Sequence, residues 1–261
     1  MKKHFLNIGL LFAIALATVA FVSCKTDKAD ESFVIKAENV INSSAEIATV
    51  KIKLYNEKRR GEIMPSIPFL QTSFQNNGFE IMLPSSISNE YLTLIAEQNE
   101  YMRWLAIELT YVDFDFEEYC ISDENAKWFQ LTGANTVQIF DKNDNQLGTL
   151  NLTYTSENEN EWREWRVGWI FVDRDVVVKK EEISGYWETH IEIVDLNLRK
   201  GWNIVYTMSE VISNQRKITS VLTTTKPANI AFSWVAKISD DEMYFMSEMW
   251  MRVWEMMQDY E

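Results

Sequence analysis

Short runs in which apolar and polar residues alternate fill the chain between residues 33 and 238. A period of two residues places apolar side chains on one face of a β-strand and polar side chains on the other. Turn signals such as Asn76-Asn77-Gly78 and Asp141–Gln146 separate these runs, and Asn and Gly tolerate the positive φ that tight hairpins need. The pattern predicts an all-β fold over residues 33–238, an antiparallel β-sandwich or barrel. If this region holds two subdomains, residues 118–126 are the expected boundary.

Residues 239–261 follow a different pattern and predict a C-terminal amphipathic helix. Ser239 and Glu242 have the spacing of a capping box, and six of the 11 methionines of the chain follow them. Candidate partner-binding side chains recur at helical spacing on one face: Met246, Trp250, Trp254 and Met257. This helix is expected either to pack on its own domain or to lie in a groove of a partner. A second membrane contact is disfavoured by its acidic stripe.

The N-terminus predicts a lipoprotein. Lys2 and Lys3 precede the apolar segment Leu6–Val22, and Phe21-Val22-Ser23-Cys24 resembles the site at which signal peptidase II cuts. Residues 1–23 are therefore predicted to be a signal peptide, and Cys24 with the following residues to 32 an acylated tether to the membrane. Lys25 stands where an Asp would retain the protein in the inner membrane. We expect an outer-membrane location, with cell-surface exposure as a further expectation.

Charge and composition disfavour several functions. A net charge of −14 repels nucleic acid, so no nucleic-acid partner is expected. The chain contains no phosphate-binding loop, dinucleotide-binding turn, nucleophile elbow or zinc-protease motif. We therefore predict no catalytic residues, no cofactor and no enzyme activity. His190 is the only histidine after the signal peptide, and the alternation around it predicts the solvent side of a strand.

Aromatic side chains next to arginine form the strongest candidate ligand site. Trp162, Trp165 and Arg163 lie close together in sequence, and an indole face can stack on a sugar ring while an arginine hydrogen-bonds to it. These residues predict glycan binding. Packing of the two indoles in a β core is the alternative.

Two acidic patterns are weaker candidates. Asp141, Asn143 and Asn145 occupy the first, third and fifth positions of a calcium loop, but Gln146 and Leu152 stand where an EF-hand has Gly and Glu. A plain hairpin turn is the alternative there. The nearby carboxylates Asp113 and Asp115 share one strand face, which leaves a carboxylate-based hydrolase as a minor alternative to a solvated face.

Three segments resemble sequences that recur in uncharacterised β-rich cell-envelope lipoproteins of Bacteroidetes. The segments are Gly78–Pro84, Val172–Val178 and Leu198–Tyr206. The resemblance implies residence in the cell envelope and a β-sandwich or barrel, and it implies no established activity. No catalytic residue is carried over from it.

Together these observations predict a lipid-anchored outer-membrane or cell-surface protein of a non-catalytic binding or adhesion type. Its expected partners are the membrane, reached through the Cys24 anchor, and an envelope protein or a glycan. The alternative is a glycan-binding accessory lipoprotein of a polysaccharide uptake system.

Overall fold

The computed structural model describes residues 33–54, 57–58, 62–63, 67–97, 119–131, 136–158, 160–184 and 189–238. The predicted lipid anchor at Cys24, the acidic strand face with Asp113 and Asp115, and the predicted C-terminal helix with its candidate residues Met246, Trp250, Trp254 and Met257 lie outside the described residues. The chain divides into two compact units, Met1–Glu31 and Ser32–Glu261, and all the described strands belong to the second. Within the described ranges, no helix is long and apolar enough to cross a membrane.

The described residues form mostly β-strands, as the alternation predicts. In chain order they are β1 Val34–Ala37, β2 Thr49–Leu54, β3 Glu57–Lys58, β4 Glu62–Ile63, β5 Ile67–Ser73, β6 Phe79–Met82, β7 Thr93–Leu94, β8 Cys120–Ile121, β9 Lys127–Leu131, β10 Val137–Phe140, β11 Gln146–Glu157, β12 Glu161–Val172, β13 Val176–Ser184, β14 Thr189–Leu198, β15 Gly201–Ile212, β16 Lys217–Thr223 and β17 Ser233–Ile238. Two short 3₁₀ turns, Asn89–Tyr91 and Ser213–Gln215, interrupt them. Asn76 and Asn77 have positive φ between β5 and β6, so the predicted turn there is confirmed.

One large sheet contains most of these strands. Its main path runs β5-β2-β10-β11-β12-β15-β16-β14-β13-β8, with β17 paired to β11, β9 paired to β12 and β7 paired to β9. Two small sheets, β1-β6 and β3-β4, stand apart from it. The path ends at β5 and β8 without closing, so among the described strands the barrel alternative is wrong.

Strand β11 connects two halves of the large sheet because its neighbours change along its length. Gly148 lies opposite both Ile139 of β10 and Ile238 of β17, whereas Thr153 lies opposite both Ser233 of β17 and Arg166 of β12. A Cβ at Gly148, where φ is +155°, would stand 2.0 Å from the carbonyl oxygen of Lys237. Only glycine lets β17 approach β11 this closely.

One strand pair departs from the predicted antiparallel sheet. β14 and β16 are parallel, while β15 and β16 form an antiparallel hairpin. The turn at Lys200-Gly201 joins β14 to β15, and Gly201 has a φ of +95°, but β16 lies between these two strands. The connection from β14 to β15 therefore passes the end of β16. Strand β16, the second strand of the β15–β16 hairpin, fills the space between β15 and β14.

The two faces of β12 belong to different hydrophobic cores. Trp169 and Phe171 lie in a first core with residues of β1, β2, β6, β9, β10, β11 and β17. Ile170 and Val172 lie in a second core with residues of β13, β14 and β15. Successive side chains of a strand point to opposite sides, so β12 is buried on both faces at its C-terminal end and separates the two cores.

Candidate functional site

Six neighbouring strands of the large sheet carry a row of polar side chains on one face and a row of apolar side chains on the other. They lie in the order β11, β12, β15, β16, β14, β13, and we call them the central sheet. Residues opposite one another on paired strands share a face, so the strand register defines rows that cross the whole central sheet. Two such rows, one on each face, are candidate binding surfaces.

A row of polar side chains crosses one face of the central sheet. Its members, which we call the polar ladder, are Thr155, Glu164, Ser209, Ser220, Glu192 and Glu182. At roughly 4.8 Å per strand the ladder spans about 24 Å. The same face carries the second hydrophobic core on one side of the ladder and the cluster of Trp162, Val211 and Ile218 on the other. A polar strip between two apolar zones is atypical of a solvated sheet face.

A charged cluster occupies the β13–β14 end of the ladder. The Nζ atom of Lys180 lies 2.7 Å from Oε2 of Glu182 and 2.7 Å from Oε2 of Glu192. The side chains of Lys180 and Glu182 are only 7% and 10% exposed, whereas that of Glu192 is 37% exposed. Burial alone would lower the pKa of Lys180, but the hydrogen bonds and charges of the two carboxylates outweigh it and raise that pKa.

Tyr119 covers this cluster from the segment just before β8. Its hydroxyl donates to Oε1 of Glu192 over 3.4 Å, and Nζ of Lys180 lies 5.3 Å from the centre of its ring. Burial, followed by the negative charge of Glu192, raises the pKa of Tyr119 to about 12. The phenol therefore stays protonated at neutral pH and serves as a hydrogen-bond donor.

A second ion pair lies at the β11–β12 end of the ladder. Glu164 is 3% exposed, and its Oε2 accepts a hydrogen bond from Nη2 of Arg166. The Oγ1 atom of Thr153 lies 3.2 Å from the other carboxylate oxygen of Glu164. The Nε atom of Arg166 is buried and has no hydrogen-bond partner among the described residues.

Arg166 also lines the small pocket at the point where the neighbour of β12 changes from β11 to β9. Asn151, Thr136 and Trp234 contribute to the same lining. The pocket has room for about one water molecule, whereas ligand sites for small organic molecules are several hundred Å³. A sugar ring does not fit there, whereas the faces of the sheet offer larger surfaces for a ligand.

His190 lies on the ladder face. On β14 its face continues through Glu192 to the buried residues Val194 and Leu196, while the opposite face continues to exposed Asp195. His190 is half-buried. Residues 190–193 are half-buried on both faces of β14, so the solvent-facing position of His190 stays a prediction.

The structure divides the predicted glycan-binding residues between two faces. Trp162 is the second residue of β12 and is 5% exposed, packed with Val211 and Ile218 on the ladder face. Trp165 is half-buried on the opposite face, which it shares with Arg163 because both occupy odd positions of β12. The three residues therefore do not form one surface.

Arg163 is held by two carboxylates of its own sheet. Its Nε donates to Oε1 of Glu210 over 2.8 Å, and its Nη2 lies 2.8 Å from Oε1 of Glu161. The hydrogen bond that Arg163 donates to buried Glu210 raises the pKa of Arg163. The arrangement fixes the guanidinium along the strands, where it neutralises Glu210.

An apolar row crosses the face that carries Trp165. We define it as Tyr154, Trp165, Met208, Val221 and Ile193. Tyr154 is 37% exposed and Met208 is 9% exposed, while the other three are half-buried. Ile183 of β13, which is 67% exposed, lies opposite Ile191 in the adjacent row of the same face. The rest of that adjacent row is polar and includes the Arg163–Glu210 ion pair.

The predicted calcium loop forms a hairpin turn. Oδ1 of Asp141 accepts hydrogen bonds from the backbone N–H groups of Asn143 and Asn145, each over 2.8 Å, and Oδ2 accepts one from the Asn145 side chain over 2.9 Å. These bonds, led by those from Asn145, lower the pKa of Asp141. Within the described ranges, no group of three or more His, Cys, Asp or Glu side chains could hold a metal ion.

The charged cluster on β13 and β14 was missed in the sequence because a charged run hides the alternation. The segment Val176–Ser184 contains Lys179, Lys180, Glu181 and Glu182 in succession, which resembles a solvated strand end. Counting every second residue forward from Val178 would have placed Lys180 and Glu182 on the core side. No match was found for this chain among known family models, curated proteins or solved structures.

Proposed function

We propose that this chain is a lipid-anchored outer-membrane or cell-surface protein of a non-catalytic binding or adhesion type. The observation that carries the proposal is the lipobox-like segment Phe21–Cys24 behind an apolar run. The second compact unit of the chain begins at Ser32, which is where the predicted tether ends. Nine residues from Cys24 to Ser32 span at most about 32 Å when extended, so the anchor would hold the sheet within that distance of the membrane surface.

The binding role is assigned to the polar ladder. Its middle residues Ser209, Ser220 and Glu192 are half-exposed, while the flanking carboxylates Glu164 and Glu182 are fixed by Arg166 and Lys180. Side chains fixed in this way lose little conformational entropy when a ligand binds. A strip about 24 Å long with hydroxyl and carboxylate groups suits a polar chain, such as an extended segment of an envelope protein.

Glycan binding is the second candidate, and the ladder supports it better than the tryptophans do. Hydroxyl and carboxylate groups form hydrogen bonds with sugar hydroxyls, and the ladder is long enough for several sugar units in a row. In this version the chain is an accessory lipoprotein of a polysaccharide uptake system. Trp162, packed behind Val211 and Ile218, supports the sheet and does not stack on the ligand.

The sandwich arrangement and the Bacteroidetes resemblance are further parts of the proposal. The first core joins residues of β2 and β10, among them Val50 and Ile139, to Trp169 of β12 and Phe129 of β9. Packing of two stretches of one bent sheet against each other supports a sandwich. The resemblance supports the cell-envelope location.

The anchor is tested with the Cys24→Ala variant in cells fed a radioactive fatty acid. The wild-type chain is expected to carry label and to sediment with outer membranes, whereas Cys24→Ala carries none and keeps its signal peptide. The control is Cys120→Ala, which removes the other cysteine and should leave labelling unchanged. Equal labelling of Cys24→Ala and the wild-type chain would refute the anchor.

The ladder is tested by placing a photo-crosslinking amino acid at Ser220 in intact cells. A defined crosslink to one envelope protein, lost when Ser209→Val is added, supports protein binding. The control position is Asn197, which is exposed on the opposite face of the neighbouring strand β14. Equal crosslinking from both positions contradicts the assignment.

A thermal-shift screen of the lipoprotein in detergent against a glycan panel separates the two candidates. A ligand at 100 times its Kd stabilises the folded state by about 2.7 kcal/mol. A shift that Ser209→Val and Ser220→Val abolish, without loss of their own melting temperature, supports the glycan version. A shift that both variants retain contradicts binding at the ladder.

A further inference from the structure

The large sheet forks between β11 and β12. Strand β15 pairs with one edge of β12 along its whole length, so β11 and β9 share the other edge. The pairing with β11 ends at Arg166, and the pairing with β9 begins at Trp169. On the facing edge of β11, the pairing with β10 ends at Thr149 and the pairing with β12 begins at Thr153. The two strands therefore separate along the residues between these points.

The small pocket that Arg166 lines lies in this fork. Both separating strands contribute to its lining, with Leu150, Asn151 and Leu152 on β11 and Val167 on β12. The pocket has room for about one water molecule. Cavities of this size that stay dry are lined by apolar side chains alone, whereas this lining includes the guanidinium-bearing Arg166 and the amide-bearing Asn151.

Two stacked indoles prevent the fork from closing. The rings of Trp169 and Trp234 both line the pocket, and their centres lie 6.2 Å apart at an interplanar angle of 15°. Trp234 is also fixed by its Nε1 atom, which donates to the backbone carbonyl of Lys36 over 3.0 Å. Because both rings are buried and packed, a side-chain rotation cannot fill the space between the strands.

Arg166 has a buried donor that no described group accepts. Its Nη2 donates to Oε2 of Glu164, whose side chain is 2% exposed. Its Nε is buried and has no hydrogen-bond partner among the described residues. A buried donor without an acceptor destabilises the folded state, so nearly all such groups in proteins bind either a protein acceptor or an ordered water molecule.

We propose that the fork holds one ordered water molecule, which accepts a hydrogen bond from Nε of Arg166. Asn151 is the second partner, because its buried side chain offers one acceptor and two donors and makes only a long bond of 3.4 Å to Oγ1 of Thr149. The water joins β12 to β11 where their pairing has ended. This inference goes beyond the proposed function and does not depend on it, since the site needs no ligand at the ladder.

Water suits this site better than an anion does. The charge of Arg166 is already neutralised by Glu164, so a bound anion would be a buried charge without compensation. The net charge of −14 of the chain adds a further repulsion. A neutral molecule that can both accept and donate hydrogen bonds meets the needs of Arg166 and Asn151 together.

The water is tested by high-resolution crystallography of the lipoprotein in detergent, with crystals grown in chloride and in bromide. We expect one density peak about 2.7–3.2 Å from both Nε of Arg166 and the side-chain amide of Asn151, with no anomalous signal from bromide. A pocket without density overturns the proposal. A bromide signal at this position also overturns it, because the occupant is then an anion.

A pocket-filling variant gives a second readout that needs no crystal. Val137 lines the pocket, and Val137→Ile adds one methylene group there. If the substitution displaces a water that Arg166 requires, the melting temperature falls by several degrees, whereas filling a dry cavity raises it.

The matched background for this variant is Arg166→Met combined with Glu164→Gln, which removes the Nε donor and the charge of its partner. There Val137→Ile should leave the melting temperature unchanged or raise it. A fall of equal size in both backgrounds means that the added methylene is merely overpacked, and this result contradicts the water site. A rise in the wild-type background contradicts it as well.

Discussion

Replacing Lys180 by methionine tests the buried charged cluster of the polar ladder most directly. Lys180 lies 2.7 Å from a carboxylate oxygen of both Glu182 and Glu192, and its side chain is 7% exposed. Removal of one member of a buried ion pair costs about 3–5 kcal/mol because the remaining charge is left without compensation. Since Glu192 is partly exposed and can regain water, we expect the lower value, about 3 kcal/mol.

The expected loss is measured by urea and thermal unfolding of the lipoprotein in detergent at neutral pH. For a domain of this size a loss of about 3 kcal/mol lowers the melting temperature by roughly 6–12 °C. The matched control is Lys179→Met, because Lys179 lies on the opposite face of β13 from Lys180 and its side chain is 63% exposed. Its Nζ atom is 3.4 Å from Oδ1 of the exposed Asp195 of β14. Such exposed pairs contribute about 0–1 kcal/mol.

A second variant distinguishes buried charge from lost packing. If the two carboxylates repel each other once Lys180 is absent, adding Glu182→Gln to Lys180→Met should restore part of the stability. A cost for Lys180→Met no greater than that of Lys179→Met would refute the reasoning. The same conclusion follows if Glu182→Gln adds a full further cost to Lys180→Met.

Two further predictions concern a pKa shift and a backbone contact. The pKa of Tyr119 is raised from 10.0 to about 12 in the folded state, so its contribution to stability is complete below pH 10 and is lost as the pH rises towards 12, by at most about 3 kcal/mol. Urea unfolding between pH 9 and 11.5 should show this decline in the wild-type protein and a shallower one in Tyr119→Phe; parallel curves would contradict it. Gly148→Ala places a Cβ 2.0 Å from the Lys237 carbonyl oxygen and should cost roughly 1–3 kcal/mol in thermal unfolding. An unchanged melting temperature would show that β17 can move away.

The alternation of side chains predicted the strands well where the polar face meets water. The turn at Asn76-Asn77-Gly78 and the hairpin at Asp141–Gln146 were both predicted, because Asn, Asp and Gly adopt the backbone conformations that tight turns need and few other residues do. The hydrogen bonds that Asp141 accepts from Asn143 and Asn145 confirm the predicted turn in this loop. These features depend on residues close in sequence.

The alternation failed where polar residues lie on the core side of a strand. Lys180 and Glu182 stand in a charged run, yet their face of β13 continues into the buried residues Val178 and Val176. A period of two says which residues share a face, but it does not say which face is covered. The same limit applies to Trp162 and Trp165, which are near neighbours in sequence and lie on opposite faces of β12.

The sequence by itself determined the β class of the described region and the positions of its main turns, because both follow from local periodicity and local backbone preference. It also motivated the hypotheses of a lipid anchor and a C-terminal helix, which are local patterns outside the described residues. Only the tertiary structure decided that β16 lies parallel to β14, that β11 joins two halves of an open sheet, and that Glu164, Ser209, Ser220, Glu192 and Glu182 line up in one row. Those features depend on which distant strands pair and in which register, and this is set by the fit of whole strands to one another and not by any one segment.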